Sequence, residues 1–177
     1  MKLYKLTDEN GQTHNQAQWG EGVEHSAPGT GALCTSGWIH AYTDPLLAVL
    51  LNPIHGNFQT PQMWEAEGEI SATDHGLKVG CTRLRTIQQI PLPEITREQR
   101  VRFGLLCALE VYPAASYRRW AENWLSGKCR GAADAAYAMA YVATYAATYA
   151  AAYAADAADA AGEGLDLAAL ARKAVTP

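Results

Sequence analysis

The sequence predicts an α+β fold, in which a small mixed β-sheet domain over residues 1–92 is followed by a helical region ending in a long alanine-rich helix. Three observations carry this. The first 92 residues hold short apolar runs bounded by Gly, Pro, Asp and Asn, the pattern of strands and loops. Residues 93–130 switch to a three- and four-residue apolar period, the mark of helices packed on a core. Residues 131–161 contain 18 alanines in 31 positions, and alanine has the highest helix propensity.

Along the amino-terminal segment the expected strands follow the runs Lys2 to Leu6, Gly37 to Tyr42, Trp64 to Ile70, Leu77 to Val79 and Thr86 to Ile90. One helix interrupts them. Asp44 can accept a hydrogen bond as its cap, Pro45 suits the first helical position, and Asn52-Pro53 stops the run from Leu46 to Leu51. In the middle segment Thr96 and Gln99 have the spacing of a capping box. Val101, Leu105, Ala108 and Leu109 then predict a half-buried helix to about Tyr112, broken by Pro113. A second helix, Ala114 to Leu125, puts Tyr117, Trp120 and Trp124 on one face as core residues, and Ser126-Gly127 ends it.

In the tail, Tyr137, Tyr141, Tyr145, Tyr149 and Tyr153 recur every fourth position. A run from Gly131 to Ala161 predicts a helix of roughly 46 Å, ended by Gly162 and Gly164. Each four-residue step advances the stripe by about 40°, so five tyrosines sweep about 160° and no straight partner covers them all. Some are expected to pack on the body or on a neighbouring chain and some to face water. Homo-oligomerisation through this tail is one expectation. A short amphipathic helix is expected over Leu165 to Ala174.

Composition excludes several classes. With 49% hydrophobic residues and a net charge of −4, the chain can bury a core and is not of disordered type. No charge-free apolar stretch suits a membrane span, and the first 20 residues lack the apolar core of a secretory signal, so a cytoplasmic location is expected. Only residues 93–130 are basic, with 7 basic against 4 acidic groups. An excess of three is too small for a protein that neutralises many backbone phosphates, which argues against nucleic acid as partner. Cys34, Cys81, Cys107 and Cys129 are too widely spaced for a zinc module, and reduced thiols are expected.

Three features could carry chemistry. Strand alternation puts Trp38, His40 and Tyr42 on one face, where they could stack a flat ring and hydrogen-bond it. The same alternation groups Glu65, Glu67 and Glu69, whose mutual repulsion requires water, cations or a raised pKa; Arg83 and Arg85, also two apart, are candidate partners across the sheet. The opening strand carries Tyr4 and Lys5 on opposite faces.

The order of these pieces resembles the compact ADP-ribosyltransferase fold, especially its small rifampin-modifying and phage-borne members. The resemblance rests on the Tyr-Lys opening strand, the Gly-x-x-His-x-Tyr-Thr strand entering a Leu-Leu-Ala helix, the Trp-Glu-Ala-Glu-Gly-Glu strand and the closing Leu-Arg-Thr-Ile-Gln-Gln-Ile strand. The whole chain is also similar to uncharacterised phage proteins with an alanine-rich tail. The resemblance implies an NAD grip at Tyr4 or Lys5, a second strand contributing His40 with Tyr42, or Thr35 and Ser36, and an acid from Glu67 or Glu65. Tyr-Lys stands where such enzymes carry His or Arg, so the expected function is a non-catalytic, phage-type binding protein with a possible role against host defence. Its ligand would be an NAD-derived or cyclic nucleotide, or a host protein, with the rings of Trp38, His40 and Tyr42 for the base and Lys5, Arg83 or Arg85 for phosphate. The alternatives are an active ADP-ribosyltransferase using NAD, with Glu67 stabilising the transition state and His40 or Tyr42 on the nicotinamide side, and a structural accessory protein that oligomerises.

Overall fold

A computed structural model describes residues 1–112, 114–128, 144–162 and 164–176. The chain is α+β and divides into two compact units, residues 1–94 and 95–177.

The first unit is built on strands β1 (Lys2–Thr7), β2 (Gln12–Thr13), β3 (Ala17–Gln18), β4 (Glu24–Ser26), β5 (Ile39–Ala41), β6 (Gln62–Thr73) and β7 (Val79–Ile90), with helix α1 (Pro45–Leu51) between β5 and β6. The five-stranded sheet runs β1-β6-β7-β4, every pairing in it antiparallel, and β5 also pairs with β7. Strand β7 divides its partners, giving Val79–Cys81 to β5 and Arg83–Arg85 to β4. Just past β5, Tyr42 and Tyr4 exchange two backbone hydrogen bonds of 2.9 Å. The short strand thus meets both β7 and β1, and the sheet curls back toward its own first strand.

Alternation decides what each face carries. Leu3, Ala66, Leu84 and Cys81 are buried with Trp19, Ile39, Ala41 and Val79 in one apolar cluster. Lys5 lies opposite Trp64 in the ladder and Tyr4 opposite Glu65, so neighbours in β1 point to opposite sides. The sequence marked only the apolar parts of β6 and β7; each strand runs 12 residues, because outward charges such as Glu67 and Arg85 interrupt the apolar run without interrupting the backbone ladder. Helix α1 starts as expected, with Asp44 Oδ1 accepting from the Leu46 amide at 2.8 Å, and it buries Leu47, Ala48, Leu50 and Leu51. Strands β2, β3 and β4 are two or three residues long, too short to carry a periodicity.

The second unit holds α2 (Arg97–Val111), α3 (Ala115–Leu125), α4 (Thr144–Ala160) and α5 (Leu167–Val175). Both halves of the capping box form, with Gln99 N donating to Thr96 Oγ1 at 3.2 Å and Thr96 N to Gln99 Oε1 at 2.8 Å. Helix α2 departs from the expected half-buried stripe. Phe103, Gly104, Leu106 and Cys107 are buried as well as Val101 and Leu105. The reason is that α2 is packed by several helices: Ala121 and Trp124 of α3 close over Val101 and Leu105, and α4 and α5 pack on α2 too. Helix α4 buries Thr148, Ala151, Ala154, Ala155 and Ala158, a stripe at helical spacing that lets two backbones come close. Tyr149 and Tyr153 are left exposed, stacked on each other at 6.3 Å. The described tail is therefore two helices, with Gly162 at φ 74° ending α4. The expected start of the long helix at residues 131–143, with Tyr137 and Tyr141, lies outside the described residues, as do the Tyr145 side chain and Cys129. No helix among the described residues is long and apolar enough to cross a membrane.

Candidate functional site

A cleft of about 520 Å³ opens in the first unit. One wall is the loop between β4 and β5, which folds on itself through hydrogen bonds from Gly29 N to Gly37 O at 2.8 Å, Thr35 Oγ1 to Ala32 O at 2.7 Å and Trp38 Nε1 to Gly31 O at 3.0 Å. Two glycines let this wall approach. A Cβ on Gly37 would run into the Thr30 carbonyl, and one on Gly80, the ladder partner of His40, would run into Leu33 and lie 3.2 Å from the Trp38 ring.

Trp38, His40 and Tyr42 all line the cleft, and so do Lys5, Thr35 and Ser36. The imidazole of His40 donates through Nε2 to the Leu33 carbonyl, since a carbonyl can only accept. Burial holds its pKa below the ordinary value, and the Lys78 and Lys5 ammoniums push the same way. The Tyr42 hydroxyl lies 3.0 Å from His55 Nδ1 and the two rings stack at 5.8 Å. Burial drives His55 down to about 3, helped by the charge of Lys78 and by His40, and drives the Tyr42 phenol up. A neutral His55 with the phenol donating to Nδ1 satisfies both groups.

Lys5 is the cation at the centre. Its ammonium donates to the His40 carbonyl at 2.8 Å and lies 4.9 Å from the Trp19 ring centre. It is only 7% exposed, and no carboxylate pairs with it among the described residues. Desolvation lowers its pKa to about 8. Lys78, also 7% exposed, donates to Cys34 Sγ at 3.0 Å and pairs with Asp74 at 3.6 Å. Among the described residues no Asp or Glu lines the cleft. This is a cationic, ring-walled hollow in a chain whose net charge is negative.

The structure divides the expected site residues in two. Glu67 sits in the ladder between Lys2 and Arg85, and with Glu69, Arg83, Arg85 and Glu24 it lines a separate open groove. Glu65 is paired to Lys2 at 2.9 Å, which holds its carboxyl below the usual range. Tyr4 belongs to this same side, with the Lys2 ammonium 5.8 Å from its ring. The expectation that Glu67 and His40 share one site is therefore corrected, because strand alternation sends the acids and Lys5 to opposite faces of the sheet. Arg83 and Arg85 likewise do not line the cleft, and Arg83 lies 3.9 Å from Glu24. The register of β6 on β7 also slips between Glu65 and Ala66 and between Gly68 and Ile70, with the extra residue in β7 each time, so the acids do not face an even row of partners across the sheet.

Sequence reasoning missed Trp19, His25, His55, Phe58 and Lys78, all of which line the cleft. They come from separate loops and strand ends, and no spacing joins them. The one available signal was regional: all five histidines fall within the first 75 residues. Among the described residues no cluster of His, Cys, Asp and Glu is arranged to hold a metal ion. No known protein family, curated protein or solved structure matches the chain.

Proposed function

We propose that the first unit is a non-catalytic binding module whose cleft takes a small anionic ligand bearing a flat ring, of the nucleotide class. The observation that carries this reading is Lys5, a buried ammonium that lines the cleft without a carboxylate partner among the described residues. A phosphate entering there supplies the missing counter-charge in a poorly solvated place, where a charge-assisted hydrogen bond is strongest. Trp38 and the Tyr42–His55 pair offer rings for stacking, worth about 1 to 3 kcal/mol per base. NAD-derived and cyclic nucleotides both have this chemistry.

ADP-ribosyl transfer is the less supported reading, because it needs an acid beside the bound ring and none of Glu65, Glu67 and Glu69 lines the cleft. Self-association through the alanine-rich helix also has less to work with, since its small-residue face is occupied by α2 within the same unit.

Calorimetry with a panel of AMP, ADP-ribose, NAD, a cyclic dinucleotide and uncharged adenosine tests the proposal. Binding of the phosphorylated compounds, weakened tenfold or more by Trp38→Ala and falling with added salt, supports it. Equal affinity for adenosine, or no binding by any member of the panel, contradicts it.

A further inference from the structure

Cys34 and Lys78 are 44 residues apart in sequence and in contact in the fold, the lysine Nζ lying 3.0 Å from the thiol sulfur. The thiol is on an exposed residue. The lysine is not free to wander, because its stem is buried, Asp74 pairs with its ammonium at 3.6 Å, and the turn closed by Asp74 N donating to Lys78 O at 3.0 Å fixes its backbone. Cys34 is held as well, in the loop braced by the His40 contact to Leu33 and by Thr35 Oγ1 on Ala32 O. Cys81, the other described cysteine of this unit, is a free thiol fully buried in the sheet core.

We infer that Cys34 and Lys78 are a covalent modification site, at which peroxide joins the two side chains through a single bridging oxygen, S–O–N. The first peroxide oxidises the thiol to the sulfenic acid, the first reversible rung of cysteine oxidation, and leaves as water. The lysine then gives up its ammonium proton to solvent. A second peroxide oxidises the S–OH and amine pair to the bridged product. For each bridge one thiol, one ammonium and two peroxides become S–O–NH, three waters and one released proton. Sulfur and nitrogen together lose four electrons and each peroxide gains two. The bridging oxygen requires only a small approach of two atoms already in contact. A direct sulfur–nitrogen bond requires a much larger one.

The bridge ties the β4–β5 loop to the start of β7. It also removes one of the two ammonium groups that line the cleft among the described residues, so weaker anion binding by the oxidised protein follows if the binding reading holds. The bridge itself does not depend on that reading.

The test is intact-mass and peptide-mapping analysis of the full chain after titration with hydrogen peroxide, followed by dithiothreitol. The expected result is a gain of one oxygen with loss of two hydrogens, a linked peptide containing Cys34 and Lys78, and return to the starting mass on reduction. The product is lost in Cys34→Ser, a change at an exposed position that leaves the fold intact, and in Lys78→Arg. Oxygen addition confined to Cys34 without a linked peptide, or a linked peptide that has lost two hydrogens without gaining oxygen, overturns the assignment. Intact bridging with unchanged nucleotide affinity leaves the site standing and removes only its effect on binding.

Discussion

The Lys5 ammonium lies 4.9 Å from the centre of the Trp19 ring. A cation over an indole face is attracted by the ring quadrupole, by about 2 kcal/mol when desolvated, and here the lysine also donates to the His40 carbonyl. Neither contact neutralises the charge. The fold thus holds a cation at the cleft wall in a state that an incoming anion improves.

Lys5→Met is expected to stabilise the free protein by about 1 kcal/mol at pH 7 while abolishing anion binding, since it removes a desolvated charge but leaves the His40 carbonyl without its donor. The wild type carries a matching pH signature. Its lysine titrates at about 8 in the folded chain against an ordinary 10.5, so between these values the unfolded chain binds a proton that the native one does not. Stability therefore rises with pH across that window, by roughly 3 kcal/mol for this group. Urea unfolding of both proteins from pH 7 to 10.5 checks this, and the rise should be missing from the variant.

Tyr42→Phe removes the hydroxyl that satisfies His55 Nδ1. A buried acceptor left without a donor costs about 1 to 3 kcal/mol, seen as a lower urea midpoint at pH 7. His55 itself stays neutral when folded, with its pKa lowered to about 3 from 6.5. The unfolded chain takes up the proton between those values, so stability falls as pH drops below 6.5. His55→Gln should flatten that decline, and His40, shifted in the same direction, should account for part of what remains.

Gly37→Ala drives a methyl group into the Thr30 carbonyl, and backbone cannot rotate away as a side chain can. A loss of about 1 to 3 kcal/mol is expected, with a shift in tryptophan fluorescence as the loop carrying Trp38 moves outward.

In the helical unit, Ala151→Leu places a large side chain where α4 is fully buried, at an expected cost of about 1 to 3 kcal/mol. Tyr153 is 70% exposed, and Tyr153→Ala should stay within about 0.5 kcal/mol of wild type. Thermal melts of the two variants separate a tail that packs in its own unit from one that merely follows it.

What the sequence made legible was local. The Asp44 cap and the Thr96–Gln99 box are set by neighbours within a few residues and both are present, and Trp38, His40 and Tyr42, grouped by their spacing along the chain, all line the cleft. The grouping of Glu67 with His40 failed because each was assigned a face from its own strand alone. Which faces coincide is decided by register, and the ladder puts Glu67 with Lys2 and Arg85 and puts Lys5 opposite Trp64. Lys78 and Trp19 were illegible for a related reason, since tertiary contacts alone bring them to the cleft. Helix α2 looked half-buried because its period was read without knowing that α4 would bring a second packing surface.

The most direct measurement is the titration of the Lys5 side chain by NMR, in the free protein and in the presence of AMP. Titration near pH 8 that moves upward by about a unit or more when AMP binds, as a phosphate stabilises the ammonium, is the predicted result. Binding of AMP with the Lys5 titration unchanged, or a free Lys5 that already titrates at its ordinary 10.5, contradicts the account.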